Sequence, residues 1–146
     1  MTNKTWLDCC NLALNGQRAE IGVLHFLDGI AAFMADRTNQ SILHLCLAFE
    51  ILANKHRMIV EKKSDIKLDK LIKQTPLLNH KTRKIIKYLM VDRGHAAHGR
   101  DPHHIRKTPD ASIQAYVRSM GEIVNAYLVA LGNDGKWHEA TNLKIG

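Results

Sequence analysis

Aromatic residues make up only 5% of this 146-residue chain, too few for the stacking platforms on which OB-folds and RRM domains lay successive bases. No apolar run approaches the roughly 18 residues of a membrane span, because Asp28, Asp36, His44 and Glu50 interrupt the apolar stretches. The N-terminal MTNKTWLDCCNLALNGQ has no long apolar segment of the secretory-signal kind, being broken by Asp8, Asn11 and Asn15. There are three cysteines, Cys9, Cys10 and Cys46, an odd number whose adjacent pair does not suit a disulfide framework. Reduced thiols, no membrane partner and a cytoplasmic location are therefore expected. Strand-like alternation is absent, and no internal repeat is visible.

What the chain does have is helical periodicity and positive charge. At 146 residues, with 45% apolar and 24% charged residues, it is long enough for one buried core. Lysine and arginine outnumber aspartate and glutamate by 21 to 14, giving +7 and a pI near 9.5. That balance favours polyanionic partners through counterion release, and carries no information on sequence specificity or catalysis.

Nearly every apolar run steps by three and four. Trp6, Cys9, Cys10, Ala13 and Leu14 predict a short helix ended by Gly16. Val23, Leu27, Ile30 and Met34 mark a second, from about Arg18 to Asp36. A third, from about Asn39 to Val60, has Ile42, Leu45, Cys46, Phe49, Leu52 and Ala53 on one face and Glu50 at its margin. After the polar link EKKSD, Ser64 or Asp65 is expected to cap a short helix through Leu68, Leu71 and Ile72 that Pro76 stops. A fifth starts near Asn79 and carries Ile85, Ile86, Leu89 and Met90. A last one runs from about Pro109 to Leu131 on Ile113, Val117, Met120, Val124 and Tyr127. Short links between such helices imply an all-α antiparallel bundle of about five to six helices. Residues 1–135 form the single domain of this reading and residues 136–146 a flexible C-terminal tail.

One stretch stands out chemically, VDRGHAAHGR at residues 91–100. Arg93 and His98 are separated by Gly94, His95, Ala96 and Ala97, which on a helix places them about 140° apart and about 7.5 Å along the axis. A guanidinium can donate two hydrogen bonds to a phosphate and stabilise charge that grows in a transition state. An imidazole titrates near neutrality and can take or return a proton. RNA brings its own nucleophile, the 2′-hydroxyl, so the pair suits phosphodiester cleavage without a metal. A purely structural reading makes Arg93 a solvated cation, His98 a histidine favouring the helix C-terminus and Gly99 the residue that ends the helix.

The arrangement Arg93-Gly-His-Ala-Ala-His98-Gly99, late in an all-helical chain and after the amphipathic LHLCLAFEILANKHR, resembles the HEPN superfamily, particularly its Apea-like branch. The resemblance spans roughly the second helix to the last. It implies a HEPN-like helical domain whose R-x4-H motif marks a metal-independent endoribonuclease acting on single-stranded RNA, with Arg93 and His98 as the motif pair. It also implies a homodimer with both motifs in one cleft, and a defence, toxin–antitoxin or RNA-processing role. Glu50 in AFEIL matches an acidic position of that branch and takes a supporting role, as does His95. Gly94 departs from the pattern, since active members usually carry a polar residue directly after the motif arginine. Arg100 stands where the toxin branch has tyrosine. The alternative is a catalytically inactive HEPN module that binds nucleic acid, nucleotide or another protein.

Arg100, His103, His104, Arg106 and Lys107 follow the motif and are expected to track an RNA backbone, or else to form a solvated loop. His95, His98, His103 and His104 do not complete a known metal spacing, so no metal or cofactor is expected. Beyond RNA and a second copy of the chain, an antitoxin or other regulatory protein is the remaining expected partner.

Overall fold

The computed structural model describes residues 7, 20–99, 109–132, 136–139 and 143–145. Among these there are five helices and no strand: α1 (Ile21–Met34), α2 (Thr38–Ile59), α3 (Leu68–Gln74), α4 (His80–Ala97) and α5 (Pro109–Ala130). The expected all-α bundle is what the chain forms, and no described helix is long and apolar enough to cross a membrane. The helix expected around Trp6 to Leu14 lies outside the described residues, apart from Leu7.

At the centre is α2, which packs on each of the other four helices. Its expected face is buried without exception: Ile42, Leu45, Cys46, Phe49, Leu52 and Ala53. Phe26, Phe49, Tyr116 and Tyr127 fill the largest volumes of the core, so these aromatic rings supply packing.

The α1–α2 hairpin is closer than its sequence suggests. Val23 is buried as expected, but Met34 is 77% exposed, and the buried face of α1 runs through Gly22, Val23, Phe26, Gly29 and Ala32. A Cβ at Gly22 would lie 2.6 Å from Leu52 Cγ, and one at Gly29 2.9 Å from Leu45 Cδ2. The glycines thus let α2 side chains reach the α1 backbone, which turns the buried face away from Met34 and leaves Leu27 and Ile30 only partly buried. Ser41 Oγ donates to the Gly29 carbonyl at 2.7 Å and joins the helices at that level. Asp36 takes φ 57° to make the tight reversal between them.

Neither Ser64 nor Asp65 caps α3. Its N-cap is Lys67, with no side-chain hydrogen bond. The reason lies on α2, where Asn54 binds the Ile66 backbone twice: Nδ2 donates to the carbonyl at 3.1 Å and Oδ1 accepts from the N–H at 3.0 Å. This clamp fixes the chain immediately before Lys67, and the helix begins there.

At the other end of α3, Arg83 of α4 donates to the carbonyls of Ile72, Lys73, Thr75 and Leu78. Several of these carbonyls lie past the end of α3 or in its last turn and lack a helical partner. Arg83→Ala should therefore destabilise the protein by about 2–3 kcal/mol, as expected for losing charge-assisted bonds to carbonyls. Urea unfolding of the two proteins, with unchanged slope and a lowered midpoint, checks this.

The C-terminal segment differs from the expected frayed tail in the residues that are described. Trp137 pairs with Leu131 in an isolated antiparallel bridge. The N–H of His138 donates to the Ala130 carbonyl at 2.7 Å. Trp137, Leu143 and Ile145 pack against the core, their apolar burial holding a segment that has no helical periodicity to announce it.

Candidate functional site

The motif occupies the end of α4, a helix anchored at both ends by local chemistry. Asn79 at the N-cap accepts from the Thr82 N–H at 2.8 Å. At the C-terminus the N–H of Gly99 donates to the Ala96 carbonyl at 3.1 Å while Gly99 takes φ 70°, the left-handed conformation that ends many helices. His98 is the C-cap residue and is exposed. Ile86, Leu89, Asp92 and Ala96 form the inward face.

Arg93 and Glu50 are far apart in sequence and meet in space. Arg93 Nη1 is 3.5 Å from Glu50 Oε2, the two side chains being 39% and 33% exposed. This half-solvated pair contributes little to stability and sets the guanidinium beside Glu50 on the α2–α4 surface. Glu50, to which the resemblance gives a supporting role, is the residue that meets Arg93 here.

Beneath the pair lies a carboxylate that sequence reasoning missed. Asp92 is fully buried and accepts a hydrogen bond from the Tyr116 hydroxyl of α5 through Oδ2. Its Oδ1 is 4.0 Å from Nδ1 of His95, a distance for charge attraction rather than a direct hydrogen bond. Burial first, then the bond to Asp92, pushes the Tyr116 hydroxyl well above the ordinary phenol range, so it stays protonated and donates. The signal was present in the spacing: Asp92 falls three residues after Leu89 and four before Ala96, on the apolar stripe itself.

Cys46, also under the site, bonds through Sγ to the Leu89 carbonyl at 3.7 Å. Burial pushes its thiol up to about 12, against which nearby Arg93 acts in the opposite direction. The group remains a neutral thiol and is not a nucleophile at ordinary pH.

The structure therefore brings Arg93 to Glu50 and His95 to Asp92, and leaves His98 apart, at the open end of the helix. Among the described residues, His98 forms no side-chain hydrogen bond or ion pair. Arg100, His103, His104, Arg106 and Lys107 lie outside the described residues. His95 and His98 join no group of three metal-ligating side chains among the described residues. What the arrangement offers chemically is a cation paired with Glu50, an exposed imidazole beyond it and a second imidazole near a buried carboxylate.

Gly94 lies in the same helical turn with nothing within 4 Å of the place a Cβ would take, and with no left-handed φ to require glycine. Gly94→Ala should stabilise the protein by about 0.5–1 kcal/mol through the lower entropy cost of ordering alanine in a helix. A rise of roughly 3 °C in Tm would register it.

The chain matches no protein-family model, and no curated protein or solved structure is significantly similar to it.

Proposed function

We propose that this protein is a metal-independent endoribonuclease of the HEPN kind, cleaving single-stranded RNA by attack of a 2′-hydroxyl on the adjacent phosphorus. The observation that carries this reading is the pairing of Arg93 with Glu50 near the C-terminal end of α4, five residues before an exposed His98. Arg93 holds the non-bridging oxygens of the scissile phosphate, exchanging its contact with Glu50 for a bidentate one. His98 takes the proton from the 2′-hydroxyl, and a proton returns to the departing 5′-oxygen. The products are a 2′,3′-cyclic phosphate and a 5′-hydroxyl, with no metal in the step. His95, facing the buried Asp92, tunes the local field.

A single exposed histidine per chain is poorly suited to both proton steps, which favours a homodimer with two motifs in one cleft. Beside Glu50 on α2, Leu47, Ile51 and Met58 line one hollow, and Leu47 and Met58 are exposed. This apolar hollow next to the Arg93–Glu50 pair is the surface on which the reading seats a second copy. The chain's charge of +7 suits an RNA partner. A role in defence, a toxin–antitoxin pair or RNA processing, with an antitoxin or other protein as regulator, belongs to the same reading.

Gly94, where active members of the resembled family usually carry a polar residue, favours a second reading, a catalytically silent module that binds nucleic acid, nucleotide or a protein. Incubation of end-labelled single-stranded RNA with the purified protein in excess EDTA separates the two. Cleavage supports the enzyme. Retention of RNA without cleavage by a folded dimer favours the silent module.

A further inference from the structure

The α1–α2 hairpin sets two histidines against each other, on a different face of α2 from the Arg93 pair. His25 and Asp28 lie one turn apart on α1, and His44 comes from α2. The two Nδ1 atoms are 3.0 Å apart, and the rings stack with centroids at 5.2 Å and planes 29° apart. One potential ligand atom from each of His25, Asp28 and His44 lies within 4.8 Å of the other two. Both imidazoles are partly buried while the carboxylate is exposed.

Two neutral imidazoles can meet in this way only if one carries its proton on Nδ1 and the other on Nε2. A metal cation removes that restriction by accepting both Nδ1 lone pairs. The separation is also near what coordination demands: zinc–nitrogen bonds of about 2.0–2.1 Å at a tetrahedral angle put two nitrogens roughly 3.4 Å apart. Small side-chain rotations suffice to open 3.0 Å to that distance. Asp28 adds an anionic oxygen, and three protein ligands leave a fourth position open.

Asp28 and His44 also border a surface hollow of about 380 Å³, together with Arg37 and Gln40. The scaffold behind it is rigid, because Gly29, next to Asp28, is held against Leu45 and accepts the bond from Ser41.

We infer that His25, Asp28 and His44 form a binding site for a divalent transition metal, zinc foremost, with its fourth position open to water or an anion in the hollow. Two imidazoles and one carboxylate select zinc, cobalt or nickel over magnesium and calcium, which prefer oxygen ligands throughout. His44 stands six residues before Glu50 on α2, roughly 9 Å along the axis and about 120° around it. The metal site therefore has no part in the cleavage step proposed above, and either can fail alone.

The test is calorimetric titration of zinc chloride into the full chain after chelator treatment and dialysis, with the visible spectrum of the cobalt form as a second readout. The parent should bind about one equivalent with tetrahedral cobalt bands. His25→Ala and His44→Ala should each abolish that equivalent. Asp28→Asn, at an exposed position that leaves the fold intact, should weaken it by more than roughly tenfold, the lower end of what losing even an outer-shell partner costs. Should the histidine variants fail to fold by circular dichroism, Asp28→Asn decides alone. Uptake unchanged in the folded variants would place the metal on other histidines and overturn the inference, as would a parent that takes up no zinc.

Discussion

Replacing His98 with alanine is expected to lower the rate of RNA cleavage by about two to four orders of magnitude, the range that a positioned general acid–base group supplies. The fold should be untouched, since the His98 side chain is exposed at the helix C-cap. Arg93→Ala should cost about 100- to 1,000-fold, the magnitude of one preorganised donor to a developing oxyanion. The two differ in a diagnostic way. Losing Arg93 also removes a phosphate contact and so weakens RNA binding and its salt dependence, whereas losing His98 leaves binding nearly intact. Arg93→Lys keeps the charge but loses the bidentate geometry, and should recover binding better than rate. Single-turnover cleavage and filter binding of the same RNA, measured at two salt concentrations, separate these effects.

The largest expected effect on stability comes from Asp92. Asp92→Ala removes the acceptor of the buried Tyr116 hydroxyl and leaves a small void between α4 and α5. A cost of about 3 kcal/mol follows for an unpaired buried donor plus lost packing, a fall of roughly 10 °C in Tm. Tyr116→Phe strips the bond from the other side and should cost less, about 1–2 kcal/mol. In the double variant the two losses should add to less than their sum, because each single change already breaks the shared bond. Chemical denaturation of the four proteins completes the cycle. Strict additivity would mean that the Tyr116–Asp92 bond contributes nothing of its own.

Much of this could be read from residue spacing. The stripes of α2, α4 and α5 are regular, and the turn signals at Asn79 and Gly99 act as their chemistry suggests. The α1 face was less legible, because a glycine contributes to packing by what it lacks, and apolar periodicity counts only side chains that are present. Lys67 in place of Ser64 or Asp65 at the α3 N-cap reflects a clamp from Asn54, a long-range contact invisible in the local sequence. Arg93 and His98 were found as a motif, and Glu50 through a resemblance. Asp92 is hard to single out, because an acid beside an arginine in a basic chain resembles a solvated pair although its position falls on the apolar stripe. The His25–His44 approach depends on hairpin register, which no spacing within one helix encodes.

The central claim is that the end of α4 cleaves RNA through its own 2′-hydroxyl. The most direct measurement is the chemistry of the ends left when the parent protein, in excess EDTA, cuts a single-stranded RNA alongside the same strand carrying 2′-deoxyribose at the cleaved nucleotide. The account predicts cyclic phosphate and 5′-hydroxyl ends on the RNA and an intact deoxy-substituted bond. Cleavage of the deoxy-substituted bond, or 5′-phosphate ends on the RNA, would contradict it.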